Sequence, residues 1–196
     1  VSVPNPSKRP AVSSDAESLT GYAAVFSPAN YDNPEIIWSV EYDEATAGGM
    51  NFHQMSLHYA SQFTYLFQDQ PWNGYSALEE FYNSYEDGDA RKDANFIIGA
   101  QTDFGGSVVV DLASDTQDPA ITYSASINEL EPNAGRTDGA RLGKFSFKNF
   151  ARPDLDNDYP IVRLGDVYLM RAEAKARVAG DWSMAAADVN TVRARA

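Results

Sequence analysis

The sequence predicts a mainly α fold with short β elements and long ordered loops, ending in a helical hairpin. Three observations carry this prediction. Residues 158–196 have the composition and spacing of two helices joined by a turn. Residues 35–42 concentrate β-branched and aromatic side chains in one short run, as a strand does. Elsewhere Gly, Pro, Asn and Asp interrupt the apolar runs before any long element can form. One domain is expected over 1–196, with an irregular α/β part at 1–157 and the hairpin at 158–196.

Taken in order, residues 1–18 hold three prolines and five serines and read as an extended lead-in. The run 22–26 is apolar and short, and fits either a strand or a helix end. Asn33-Pro34 marks a turn ahead of the strand 35–42, in which Trp38 is expected to face the core. Gly48-Gly49 breaks the chain, and residues 50–70 are rich in Tyr, Phe, His and Gln without a clean period. Residues 77–85 read as a short helix with Leu78, Phe81 and Tyr82 on one side, and Ser76 as its N-cap in a capping-box spacing with Glu79. Residues 96–98, 107–112, 120–126 and 144–148 read as strands or extended arms, and 154–158 as an acidic connector.

In the hairpin, Pro160 suits a first helical turn, where a missing N–H costs nothing. Ala172, Ala174 and Ala176 favour helix, Gly180 is placed to end it, and Asp181 to cap the next. Trp182, Ala185, Ala186, Val189, Val192 and Ala196 then form one apolar stripe, with Trp182 expected in the core. Alanines on both helices allow the close approach of a tetratricopeptide-type pair.

Composition excludes several classes. A net charge of −13 rules against nucleic acid, which needs a basic footprint. With no cysteine, disulfides, zinc–thiolate sites and thiol nucleophiles are excluded. No run approaches the roughly 20 apolar residues of a membrane-spanning helix. Neither glycine-rich phosphate-loop pattern occurs, and no G-x-S-x-G elbow is present to place a serine nucleophile. His53 and His58 are five apart, which does not put two zinc ligands on one helical face. Asp154, Asp156 and Asp158 have the alternation of a calcium loop, but Tyr159 and Gly165 occupy the positions that require Gly and Glu. No metal or cofactor is therefore expected, and a solvated acidic loop is the default. Pairs such as Glu41 with Asp43 or Glu79 with Glu80 would permit glycoside hydrolysis. In a chain with 28 acids such pairs are commonplace, and Glu79 and Glu80 suit a helix N-terminus.

The string from Tyr159-Pro160-Ile161-Val162-Arg163 through Arg171-Ala172-Glu173-Ala174, followed by Asn190-Thr191-Val192-Arg193-Ala194-Arg195-Ala196, closely resembles the SusD/RagB family. Val25-Phe26 with residues 35–42 resembles a second family segment, and Trp72 to Asp89-Ala90-Arg91 a third, weaker one. The resemblance implies non-enzymatic capture of a glycan or other nutrient at the cell surface. Delivery would be to a SusC-like TonB-dependent transporter barrel, by an outer-membrane lipoprotein of Bacteroidota. It implies a lipid anchor on an N-terminal cysteine, which this chain does not contain, and it implies that the chain is the middle-to-late portion of a longer protein. Arg163, Glu173, Asn190 and Arg193 match recurring family positions and are expected to serve the scaffold.

Sugars present flat C–H faces to aromatic rings and hydroxyls to amides and carboxylates. Tyr65, Phe67, Gln68, Asp69, Gln70, Trp72, Asn73 and Tyr75 supply those groups within eleven residues, around Pro71 and Gly74. The expected ligand contacts are Trp72, Tyr75, Asn73, Asp69 and Tyr65, with an oligosaccharide or polysaccharide as ligand. The competing reading has Trp72 and Tyr75 packing over the neighbouring helix. Two other functions remain open from sequence: an accessory subunit of an outer-membrane assembly that binds no glycan, and a surface glycoside hydrolase.

Overall fold

Val25 and Phe26 anchor the first described element, a 3-10 turn spanning Tyr22–Phe26, in a computed structural model that describes residues 21–115, 117, 119–127 and 134–194. The expectation for residues 1–18 lies outside the described residues, as do Arg195 and Ala196. Two compact units are present, one built from Val1–Tyr42 with Asn157–Ala196 and the other from Asp43–Asp156.

In the first unit, β1 (Ile36–Val40) pairs antiparallel with β6 (Tyr159–Arg163), and the register is irregular around Trp38. Pro160 is thus in a strand and not in a helical turn. It sits opposite Ser39 in a two-stranded ribbon, where every strand is an edge and a missing N–H is tolerated. The ribbon is tied below by buried amides. Asn30 Nδ2 donates to Val25 O and Asp158 O, both at 2.8 Å, and Asn157 Nδ2 donates to Phe26 O at 3.0 Å. Trp38 is 62% exposed, so strand character did not place it in the core. A short apolar strand has two faces, and composition does not say which is covered.

The helix α5 (Leu164–Ala179) follows directly from β6. Asp166 accepts from the Arg163 backbone N–H at 3.0 Å and pairs with its guanidinium at 3.1 Å, fixing the helix start with a carboxylate in the first turn. Gly180 ends the helix in the left-handed region, at φ 64°. Asp181 then accepts from Ser183 N–H at 2.9 Å, as expected of a cap. A 3-10 turn (Trp182–Ala185) leads into α6 (Ala186–Arg193). Ala172 and Ala176 of α5 form a buried seam with Ala185 of the 3-10 turn, and Val189 of α6 packs against it, while Ala186, expected on the same stripe, is exposed. Trp182 is not in that seam and is 68% exposed. It opens the 3-10 turn ahead of α6, whose last residue, Ala185, is the one that reaches the seam. Asp188 is buried beside the seam and receives Arg171 at 2.7 Å and Lys175 at 3.0 Å. Bonds from Arg171 and Lys175 hold its carboxyl down at about 2.

The unit 43–156 is made of short pieces: α1 (Phe52–Ser56), α2 (Ser61–Tyr65), α3 (Glu79–Asn83), α4 (Ala90–Asn95), and the strand pairs β2 (Phe96–Ile97) with β5 (Arg141–Leu142) and β3 (Gly99–Ala100) with β4 (Thr122–Tyr123). Leu57, Ala60, Phe67, Val109, Ile121, Tyr123, Ala151 and Leu155 are its core. A second cluster gathers Phe81, Tyr82 and Tyr85 edge-on around Phe96, at centroid distances of 5.4–5.6 Å. The helix expected over 77–85 begins later than its capping signal suggests, because Ala77 bridges Ala140 as extended chain and takes Ser76 out of the cap position. Asp89 caps α4, a helix the sequence did not signal, by accepting from Arg91 N–H at 2.9 Å. Residues 144–148 are irregular rather than a strand, and β5 lies just before them.

Candidate functional site

The segment 70–75 is fixed by the C-terminal end of α1, whose last carbonyls lack partners within the helix. Trp72 N–H donates to Gln54 O at 2.7 Å, Asn73 N–H to Leu57 O at 2.9 Å, and Gly74 N–H to Met55 O at 2.7 Å. Asn73 adopts φ 54°, a left-handed conformation that its short amide side chain tolerates better than most. A Cβ at Gly74 would lie 3.0 Å from Met55 O, so glycine permits the close crossing. With the backbone turned inward and Pro71 buried, the larger side chains turn out. Trp72 is 58% exposed and Tyr75 36%. The Tyr75 hydroxyl reaches Phe52 O at 3.4 Å, and partial burial raises its pKa.

The structure therefore brings Trp72, Asn73 and Tyr75 together on one hydrogen-bonded turn, with Asp69 exposed just before it. The Asn73 Oδ1 is buried and has no hydrogen-bond partner among the described residues. Tyr65 is placed differently. It ends α2, where Leu66 reverses the chain at φ 54°, and its ring packs on Phe67 at 5.2 Å and Phe147 at 4.9 Å. Burial pushes its hydroxyl up to about 12, with Tyr123 adding to the effect. Tyr65 is partly buried against the edge of the core, while Trp72 and Tyr75 face out.

Beneath this turn lies a group that sequence reasoning missed. Arg141 is buried and spans three carbonyls, with Nη1 at 3.5 Å from Ser56 O and 3.4 Å from Tyr75 O, and Nη2 donating to Arg136 O. Its guanidinium lies over the Tyr123 ring at 5.0 Å, and burial lowers its pKa. Nothing in the local string Gly-Ala-Arg-Leu-Gly marks it, because two of its three carbonyl partners are 66 and 85 residues away.

The remaining candidates resolve individually. His53 Nε2 lies 3.2 Å from Arg152 O, and the ring packs against Phe67 and Phe147. Burial lowers its pKa to about 4. His58 accepts the Ala60 N–H at Nδ1, which puts its proton on Nε2, facing Asp111 at 3.5 Å. Asp158 is buried, accepting from Ser39 Oγ and Tyr42 N–H, both at 3.3 Å, so it serves the structure rather than a solvated loop. Asp156 faces Lys148 at 3.7 Å. No group of three His, Cys, Asp or Glu suited to a metal occurs among the described residues. Glu79 accepts from Ser126 Oγ, and Asp43 closes its own turn onto Ala45 and Thr46. Among the described residues no helix is long and apolar enough to cross a membrane.

The described residues form a helix-and-loop scaffold that carries an anchored aromatic turn. The chain belongs to the SusD family, whose model matches residues 11–196. Its fold is shared with surface glycan-binding protein A from Bacteroides thetaiotaomicron, at 21% identity and a TM-score of 0.62 over 94% of this chain and 40% of that one. A structure of a protein of that name and organism in complex with laminarihexaose matches at 19% identity and a TM-score of 0.61, with the same coverage. The counterpart from Bacteroides uniformis matches at 17% identity and a TM-score of 0.57, over 91% of this chain and 34% of that one. The chain thus spans two fifths or less of the length of these structures. No curated protein matches it.

Proposed function

We propose that this chain forms part of a non-enzymatic surface protein that captures an oligosaccharide or polysaccharide and passes it to a TonB-dependent transporter barrel at the outer membrane, where a lipid anchor would hold it. The observation that carries the reading is the turn 72–75, in which Trp72 and Tyr75 are held outward by three backbone hydrogen bonds to the end of α1 and its capping residue Leu57. A rigid exposed indole offers a flat apolar face to sugar C–H groups at low entropic cost. Asp69, exposed just before the turn, stands beside it to accept from hydroxyls. Family membership and the glycan complex of a protein with the same fold support the choice of ligand class.

Calorimetric titration with laminarihexaose and a panel of neutral oligosaccharides tests the reading. Trp72→Ala is expected to weaken the best ligand at least tenfold, with stability within about 0.5 kcal/mol of the parent, as for an exposed side chain. Unchanged affinity would sink the assignment of Trp72. Co-purification with a barrel protein but no binding to any glycan would favour a structural accessory subunit. Release of reducing sugar from a bound polysaccharide would favour a hydrolase, and none is expected.

A further inference from the structure

A second polar site lies within the unit 43–156, built on the buried carboxylate of Asp111. That residue is 4% exposed. It accepts from the Tyr59 hydroxyl, from Arg136 Nη1 at 3.2 Å and from Ala113 N–H at 3.0 Å, with His58 Nε2 at 3.5 Å behind it. Burial alone would raise the Asp111 carboxyl, but the donors from Tyr59 and Arg136 bring it below its ordinary value, so it stays an anion.

Arg136 is held from one side only. Its Nη1 makes all of its hydrogen bonds among the described residues, to Asp111, to Tyr59 Oη at 3.2 Å and to Ala113 O. A guanidinium carries five N–H donors, so those on Nε and Nη2 are uncommitted among these residues. The side chain is 46% exposed and borders an open recess of about 330 Å³. Asp115 stands on the same recess, Ser114 and Thr137 add hydroxyls, and Pro119 and Ala120 form an apolar wall.

The chemistry of these walls selects among ligands. One guanidinium and two carboxylates leave the recess net negative within a chain of net charge −13, which disfavours an anion. Arg136 disfavours a cation. A purely apolar molecule would strip water from Arg136 and Asp115 without replacing its hydrogen bonds. A neutral polyol satisfies all of them: one hydroxyl donates to Asp115, its neighbour accepts from Arg136, and a C–H face lies on Pro119 and Ala120. The volume is at the low end for small-ligand sites, roughly 300–1,000 Å³, which suits a single sugar ring better than a long chain.

We propose that this recess is a second, monosaccharide-sized subsite for a neutral sugar, with Arg136 and Asp115 reading adjacent hydroxyls. The proposal deepens the glycan-capture reading and rests on it for the ligand class, but uses none of the side chains of the Trp72 turn. Arg141 ties the two surfaces together, since it bonds the backbone of both Tyr75 and Arg136. Two weak contacts on one rigid anchor would give a glycan an affinity beyond either alone.

The test is a ¹H–¹⁵N NMR titration of the chain with neutral methyl glycosides (gluco, galacto, manno and xylo) and with laminarihexaose. At least one glycoside is expected to shift the Arg136 Nε–Hε signal and the Ser114 and Ala120 amides. Asp115→Ala should weaken that response about tenfold, and Ala120→Trp, which fills the recess while leaving the Arg136–Asp111 pair in place, should abolish it. The methyl glucuronide should bind more weakly than the glucoside. Shifts at the Trp72 indole with a silent recess would overturn the subsite and leave the glycan reading standing. Shifts in the recess with a silent indole would retire Trp72 and keep the subsite. Silence at both overturns both, and an undiminished response in Ala120→Trp overturns the subsite.

Discussion

The helical hairpin and the unit 43–156 satisfy their buried backbone in opposite ways. In α5 and α6 the backbone bonds run between residues four apart within each helix, and α5 meets the turn ahead of α6 through an alanine seam that needs only small side chains at the right spacing. In the unit 43–156 the elements are at most six residues long. There, backbone groups reach across the sequence, as when Ile121 bonds Val109 at 2.8 Å, Gly143 bonds Asn95 at 2.7 Å and Ala77 bonds Ala140 at 2.8 Å. Short-range order gives a scaffold, and long-range order gives a surface whose loops are held firmly enough to present side chains outward. Such loops are also the more vulnerable, since one interior group can serve several distant strands of chain.

Arg141 is that group, and replacing it should produce the largest difference between the two regions. Arg141→Met leaves one buried and two part-buried carbonyls without their donor, at a cost of about 3 kcal/mol. Near-UV circular dichroism should lose its aromatic signal while the far-UV helical signal of the hairpin persists. Equal loss of both would mean that the two regions do not respond separately.

Acid should separate them next. His53 is neutral and buried, with a pKa lowered by burial to about 4 from an unfolded value of 6.5. Its contribution is full above pH 6.5 and is lost as pH falls from 6.5 to about 4, on the order of 2–3 kcal/mol. Burial lowers His58 in the same direction. Asp188 in the hairpin is lowered to about 2 by Arg171 and Lys175, so its contribution is present above the ordinary carboxylate range and is lost only as pH falls from about 4 towards 2. Aromatic signals should therefore weaken before helical ones in an acid titration, and His53→Asn should flatten the first limb alone.

Smaller effects probe the hairpin. Ala176→Leu overfills the seam and should cost about 2 kcal/mol, read as a lowered melting temperature of the helical signal. Gly180→Ala meets no atom within 4 Å, so its cost of about 1 kcal/mol is purely that of a side chain at φ 64°. A neutral Gly180→Ala would show that the turn can relax, weakening the contrast between the two regions.

Much of the hairpin was legible from the chain. The alanine spacing, Gly180 and Asp181 all act within a few residues, and the structure puts them where local rules do. Pro160 was misread because the same residue suits a first helical turn and an edge strand, and only the partner strand 36–40 decides between them. Trp38 and Trp182 show the same limit: an apolar stripe says that a face exists, not that something covers it. In the candidate site, Pro71, Asn73 and Gly74 announced the turn that carries Trp72 and Tyr75, while Tyr65, which looked equivalent to them, is partly buried against Phe67 and Phe147.

By itself the sequence determined the family, the mainly α class with short strands, and a loop dense in aromatic and amide groups. These rest on local spacing and residue type, which survive any rearrangement of distant chain. Tertiary structure alone decided which aromatics face out, that Asp158 is buried, and that Arg141 and Asp111 underpin two neighbouring surfaces. Those facts depend on groups brought together from tens of residues apart, where desolvation and hydrogen-bond satisfaction are settled only once the chain has closed on itself.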